Sequence, residues 1–378
     1  MSLPLGSVQV LPNTTLSFLF AVAYGAYMLY DMLVNRRGLS LTPEVYVMVA
    51  LFTYLITAEH FIHDGNIFNK YFISFGLNCL IFILLVNEFY RDSIFRDKIM
   101  LIYAATMVIV ATIITLNIMA SISQTGRLTF LGVNPNELAA SFLIAYCWLS
   151  IKFIRSNCKG SSTRVVILLS VIIVLSAIIS TGTRFAMVGV IAVLSILVLS
   201  LLLDRNKTRN TLIYVFICSV VILYKVIDFT PMKARLDPAD LGNNLTDLGG
   251  RTPLWRYALD AFKEAPFVGL GYNGYEKFVL IREKFFGLPH NLPLEMAAIA
   301  GFVGILVITV LGLILFWRIF VWGDLMNLPV ALIWSVPVMV IMLMLNVTDL
   351  KLFWFMLAYF ITLDSGRGNK TVAVKGVS

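Results

Sequence analysis

Charge is what this chain has least of. Asp, Glu, Lys and Arg make up only 13% of its 378 residues, whereas 59% are hydrophobic. A soluble core of this length has no need of so much apolar sequence, and with a mean hydropathy of +0.88 the chain reads as a polytopic helical membrane protein. Histidine is scarce too: His60, His63 and His290 are the only three. Cysteine is limited to four residues with no C-x-x-C. Cys79, Cys147 and Cys218 lie in apolar runs and Cys158 in a basic loop, which excludes a disulfide framework. Residues 1–13 contain no Lys or Arg, so no cleavable signal peptide is evident.

Long apolar runs are abundant instead. Windows of ~20 residues predict an all-α protein of about eleven spans, at 14–34, 43–62, 71–89, 99–120, 137–154, 165–181, 184–203, 211–229, 293–317, 328–346 and 349–363. This divides the chain into membrane helices at 1–229, a long loop at 230–292 and a membrane-spanning C-terminal part at 293–378. Basic residues set the orientation. Arg36, Arg37, Arg91, Arg96, Lys98 and those of 152–164, 205–209, 318 and 367–375 fall on one side, against Lys70, Arg127, Arg184 and Lys351 in the short loops of the other. The positive-inside rule then puts the N-terminus and the 230–292 loop outside and the C-terminus inside. The net charge of +8 is a property of these cytoplasmic loops, and no nucleic-acid partner is implied.

The long loop has a pattern of its own. Thr252-Pro253 reads as a helix start, and Leu254, Trp255, Ala258, Leu259 and Phe262 recur at helical spacing until Pro266. A second amphipathic segment is expected from Tyr275 to Phe286, ending at Gly287. Two such helices should lie on the membrane surface and roof a cavity that opens to the bilayer. Between them Gly269-Leu270-Gly271-Tyr272-Asn273-Gly274 spells G-x-G-x-x-G, but there is no βαβ context for a dinucleotide, so the stretch reads as a tight turn.

Few polar groups stand at the membrane surface, and each has a bland reading beside its functional one. His60 and His63, at i and i+3, could ligate a metal, yet they are also what a polar helix end looks like. Asn134-Pro135-Asn136-Glu137 reads as a good N-terminus with Glu137 on the dipole. Thr181-Gly182-Thr183-Arg184 leaves an arginine at the tip of a tight hairpin, where it either snorkels or meets an anion. Arg251 is a second candidate anion ligand. His290, in Pro289-His290-Asn291, stands where the loop meets a membrane span; it is either a helix cap or a titratable base. Outside the membrane there is no ATP, so a transferase there needs a lipid-borne activated donor such as a lipid diphosphate. Guanidinium groups suit diphosphate oxygens, and a histidine suits an acceptor hydroxyl. There are no paired glycosidase carboxylates and no D-x-D, so neither metal nor cofactor is expected.

Arg251 and Trp255, Pro266 with Gly269-Leu270-Gly271, and His290-Asn291 followed by Gly301 and Gly304 resemble the signature of the bacterial O-antigen ligase and O-antigen polymerase superfamily. Asn134-Pro135-Asn136 and Thr181-Gly182-Thr183-Arg184 are similar to its two upstream motifs, so the likeness runs from about residue 127 to 304. It implies a GT-C-like fold of usually about twelve spans. It also implies an inner-membrane glycosyltransferase of lipopolysaccharide biosynthesis that is inverting and metal-independent, its site facing the periplasm. The donor would be an undecaprenyl-diphosphate-linked oligosaccharide, and a chain-length regulator is a further expected partner. By the same resemblance His290 would be the base and Arg184 and Arg251 would hold the diphosphate, with Asn291, Trp255, Arg127 and Glu137 in support. The short chain and single compact loop favour a polymerase, which adds glycan to a lipid-linked repeat unit. The alternatives are a ligase acting on lipid A core and a lipid-linked oligosaccharide flippase.

Overall fold

The computed structural model describes residues 42–62, 70–116, 120–122, 128–130, 133–155, 161–203, 217–222, 251–282, 287–321, 328–345 and 350–363, with residue 215 and scattered positions before 42. It is a helical membrane protein. Among the described residues, six helices are long and apolar enough to cross a membrane. They are α1 (Pro43–Thr57, continued by a π-helical turn, Ala58–Ile62), α2 (Lys70–Arg91), α3 (Ser93–Thr115), α4 (Pro135–Arg155), α5 (Ser161–Ser180) and, after the loop, α9 (Leu292–Val321). Three further apolar helices, α6 (Arg184–Leu203), α10 (Leu328–Met344) and α11 (Lys351–Ile361), fall at three more of the expected spans. The spans expected at 14–34 and 211–229 lie largely outside the described residues. Two helices belong to the loop, α7 (Arg251–Glu264) and α8 (Gly271–Arg282). Two small antiparallel hairpins are also described: β1 (Gln9–Leu11) with β2 (Thr14–Thr15), and β3 (Ala120–Ile122) with β4 (Leu128–Phe130).

The chain forms two compact units. The first comprises Met1–Ala23, Ile94–Leu241 and Trp322–Val340; α4 is its centre, packed against α5 and α6 and buried along most of its length. The second comprises Tyr24–Ser93, Gly242–Val321 and Ile341–Ser378. Here α2 packs against α11 through aromatic edges: Phe75 and Phe82 meet Trp354, and Phe89 meets Phe355 and Tyr359. At 11 residues, α11 is only about 16 Å long, too short to cross a bilayer. Its residues Leu352–Ile361 are all buried, so its uniform hydrophobicity belongs to a protein core.

In this second unit α1 also packs against α9. One pair of their ends is tied by an ion pair: both Glu44 carboxylate oxygens accept from Arg318, through Nε and, at 3.1 Å, Nη2. Arg318 Nη1 also donates to the Ile361 carbonyl at 3.1 Å, which brings in α11. The other pair of ends carries the loop.

Candidate functional site at the loop end of the second unit

The turn before α9 holds His290. Its backbone is left-handed, with φ 51°, the only non-glycine in that region among the described residues. The turn is pinned on both sides. The Trp255 indole Nε1 donates to the Pro289 carbonyl at 2.8 Å. Asn291 caps α9, its Oδ1 accepting from Leu294 N at 3.1 Å, and its Nδ2 reaches the Leu343 carbonyl of α10 at 3.3 Å. Both supporting side chains thus grip the residues that flank the histidine.

Arg251, the first residue of α7, donates from Nη1 to Met344 Sδ at 3.5 Å. It is half-buried, and burial lowers its pKa from the ordinary arginine value. Burial also lowers the pKa of His290, and the positive charge of Arg251 lowers it further. Both effects favour the neutral imidazole, whose lone pair stands near a guanidinium that can meet an anion. Arg251, Trp255, His290 and Asn291 converge here. Arg184 and Glu137 belong to the first unit, and Arg127 lies outside the described residues.

In that unit Arg184 opens α6, directly after the tight turn at Gly182, where φ is 62°. Thr181 Oγ1 donates to the Ile178 carbonyl at 2.7 Å, and Thr183 Oγ1 approaches the Pro135 carbonyl at 3.4 Å. The hairpin thus meets the Asn-Pro-Asn stretch, and the two upstream motifs are neighbours. Asn134 caps α4, its Oδ1 accepting from Asn136 N at 2.9 Å, with Glu137 exposed in the first turn.

The loop helices depart from expectation at their starts. Helix α7 begins at Arg251, so Thr252 lies inside it instead of capping it. Helix α8 begins at Gly271, four residues before the expected Tyr275, and 283–286 lie outside the described residues. Its early start has a cause remote in sequence. Glu59, buried in the π-helical turn, accepts from Tyr272 N at 2.9 Å, Asn273 N at 3.3 Å and the Asn273 side-chain amide. A carboxylate on these first-turn N–H groups lets the glycine-rich stretch enter the helix. His60, beside it, is exposed; His63 lies outside the described residues.

The turn at Gly269 is built into a break in α9. Gly301 has φ 60° and ψ −145°, which interrupts the helix. The hydrogen bond that would join Phe302 N to the Ala298 carbonyl is replaced: Phe302 N donates to Pro266 O at 2.7 Å, and Leu270 N donates to Ala298 O at 2.9 Å. Both orphaned groups are satisfied by one turn, as they must be within a membrane helix. A Cβ on Gly269 would lie 2.3 Å from Ala300 N, and one on Gly301 would lie 2.5 Å from Pro266 O. Tyr54 of α1 adds a bond from its hydroxyl to the Val268 carbonyl at 3.2 Å. Neither Glu59 nor Tyr54 was singled out by sequence, because their partners stand more than 200 positions away.

Fold and site define a polytopic helical membrane protein with a histidine–arginine pair at a loop–membrane boundary. Residues 169–309 match the family model described as O-antigen ligase, which bears out the resemblance to the O-antigen ligase and polymerase superfamily. The match spans the Arg184 hairpin, both loop helices and the first part of α9 with its break, ending at residue 309; the Asn134 motif lies outside it. No curated protein matches the chain.

Proposed function

We propose that the protein is an O-antigen polymerase, transferring glycan from undecaprenyl diphosphate to a lipid-linked repeat unit at the periplasmic face of the bacterial inner membrane. The observation that carries this is the placement of His290: an imidazole on a pinned turn near Arg251, at the mouth of a membrane helix, where burial and that charge favour its neutral form. The acceptor hydroxyl oxygen attacks the anomeric carbon of the donor while His290 takes its proton. The bond to the diphosphate breaks, and its electron pair leaves with the diphosphate, whose charge Arg251 offsets. Attack opposite the leaving group inverts the anomeric centre. No metal is needed once guanidinium groups hold the diphosphate. Arg184 enters this reading on its motif, which the family match spans.

The ligase reading shares donor, base and clamp and differs only in acceptor; the description of the matched family favours it. The single compact loop favours polymerase. A gel of surface lipopolysaccharide from a strain lacking the gene separates the two. Core with a single repeat unit and no ladder supports polymerase. Bare core, with long glycan left on the lipid carrier, supports ligase, and an unchanged ladder refutes both.

A further inference from the structure

Glu59 lies 2% exposed at the loop end of α1, outside the stretch that matches the family. Burying a carboxylate is costly, and an apolar residue would dock a helix with less penalty. What the carboxylate supplies is direction. Its bonds to Tyr272 N, Asn273 N and the Asn273 amide fix the start of α8 in position and in register.

The start of α8 is continuous with the turn that replaces the missing hydrogen bond of α9. One residue before Gly271, Leu270 N holds the Ala298 carbonyl; four before that, Pro266 O holds Phe302 N. The first of these bonds seats the segment Leu292–Ala300, which the Gly301 break detaches from the rest of α9, and the second holds the helix just beyond the break. His290 and its neighbour Asn291 stand at the head of that segment. Tyr54, one and a half turns before Glu59 on α1, holds the middle of the same turn at Val268. A path of hydrogen bonds joined by the short backbone stretch 270–272 therefore leads from the loop end of α1 through the start of α8 to the half-helix beneath the base.

We infer that Glu59 is a positioning residue for the reaction at His290, acting through α8 and the 266–270 turn to fix the Leu292–Ala300 segment. This rests on the reaction proposed above. Among the described residues the bonds of Glu59 go to Tyr272 and Asn273, and the reaction above assigns neither to donor or base, so its loss displaces the base and leaves donor binding largely intact. A misplacement of about 1 Å costs up to ~100-fold in rate.

The test uses full-length protein in proteoliposomes with a polyprenyl-diphosphate-linked oligosaccharide as donor. Wild type is compared with Glu59→Gln, Glu59→Asp and His290→Ala for kcat and donor KM. Expected is a kcat lowered roughly 10- to 100-fold in Glu59→Gln, with KM within about twofold and Glu59→Asp in between. A folded Glu59→Gln with wild-type kcat, or with its loss confined to KM, overturns the inference. If Glu59→Gln does not fold, Glu59→Asp decides: a lowered kcat at unchanged KM supports the role, and a wild-type kcat overturns it. Active His290→Ala defeats the proposed reaction and the inference together. Inactive His290→Ala beside wild-type-like Glu59 variants defeats the inference alone.

Discussion

His290 occupies a left-handed backbone position, where a non-glycine residue costs roughly 1–2 kcal/mol, and burial and Arg251 lower the pKa of its side chain. The two facts separate experimentally. Asparagine, like histidine, is among the residues that best tolerate the left-handed region, so His290→Asn should keep the fold near wild-type stability and lose transfer. Thermal unfolding in detergent alongside a transfer assay checks this, and residual activity near wild type would remove the base. The pH dependence follows from the sign of the shift. As pH falls through its lowered value, His290 takes a proton and the base is lost; above it the lone pair is free. The acid limb of kcat/KM should therefore lie below the ordinary histidine value of 6.5. Arg251→Gln removes the lesser cause and should raise the limb part of the way, whereas Arg251→Lys keeps the charge and should leave it lower; a wild-type limb at or above 6.5 would contradict the account. At this scale the grouping was legible, because Arg251 with Trp255 and His290 with Asn291 form two short stretches at the two ends of the loop helices. The left-handed turn was not, since no glycine marks it.

Two glycines in α9 look alike in sequence and differ in what they do. Gly301 breaks the helix against Pro266 O, while a Cβ on Gly312 would meet nothing within 4 Å. Gly301→Ala combines positive φ with a 2.5 Å approach to backbone and should cost on the order of 3 kcal/mol. Gly312→Ala should be neutral or stabilise by up to about 1 kcal/mol, through helix propensity alone. Denaturation of the two variants side by side checks the contrast, and equal effects would refute the wedge. Element boundaries were legible wherever apolar period and length agreed, as for α2, α4 and α9. They failed at α8 because a carboxylate from another helix, Glu59, supplies the cap that decides where it starts.

At the scale of the whole chain, hydropathy exposed the membrane helices but not their division into two units, each assembled from stretches far apart in sequence. It also missed the role of α11, whose apolar residues fill the core of the second unit. That unit is secured at both ends of α1, by Glu59 on α8 and by Glu44 on Arg318. Glu44 is fully buried and the Arg318 side chain is 16% exposed. Removing the cation alone leaves a buried carboxylate, so Arg318→Met should cost about 3–5 kcal/mol, and Glu44→Gln with Arg318→Met should recover most of it. Unfolding of single and double variants, read as a cycle, checks the coupling; additive losses would show that the pair acts independently. The two ends of α1 also give the orientation a test. The basic-residue asymmetry puts Lys263 and Lys277 outside and Asp92 inside, and all three are exposed. With the native cysteines replaced, a membrane-impermeant thiol reagent should label Lys263→Cys and Lys277→Cys on intact spheroplasts, and Asp92→Cys only after lysis. The reverse pattern would place His290 in the cytoplasm, where a periplasmic transfer from a lipid-linked donor could not occur.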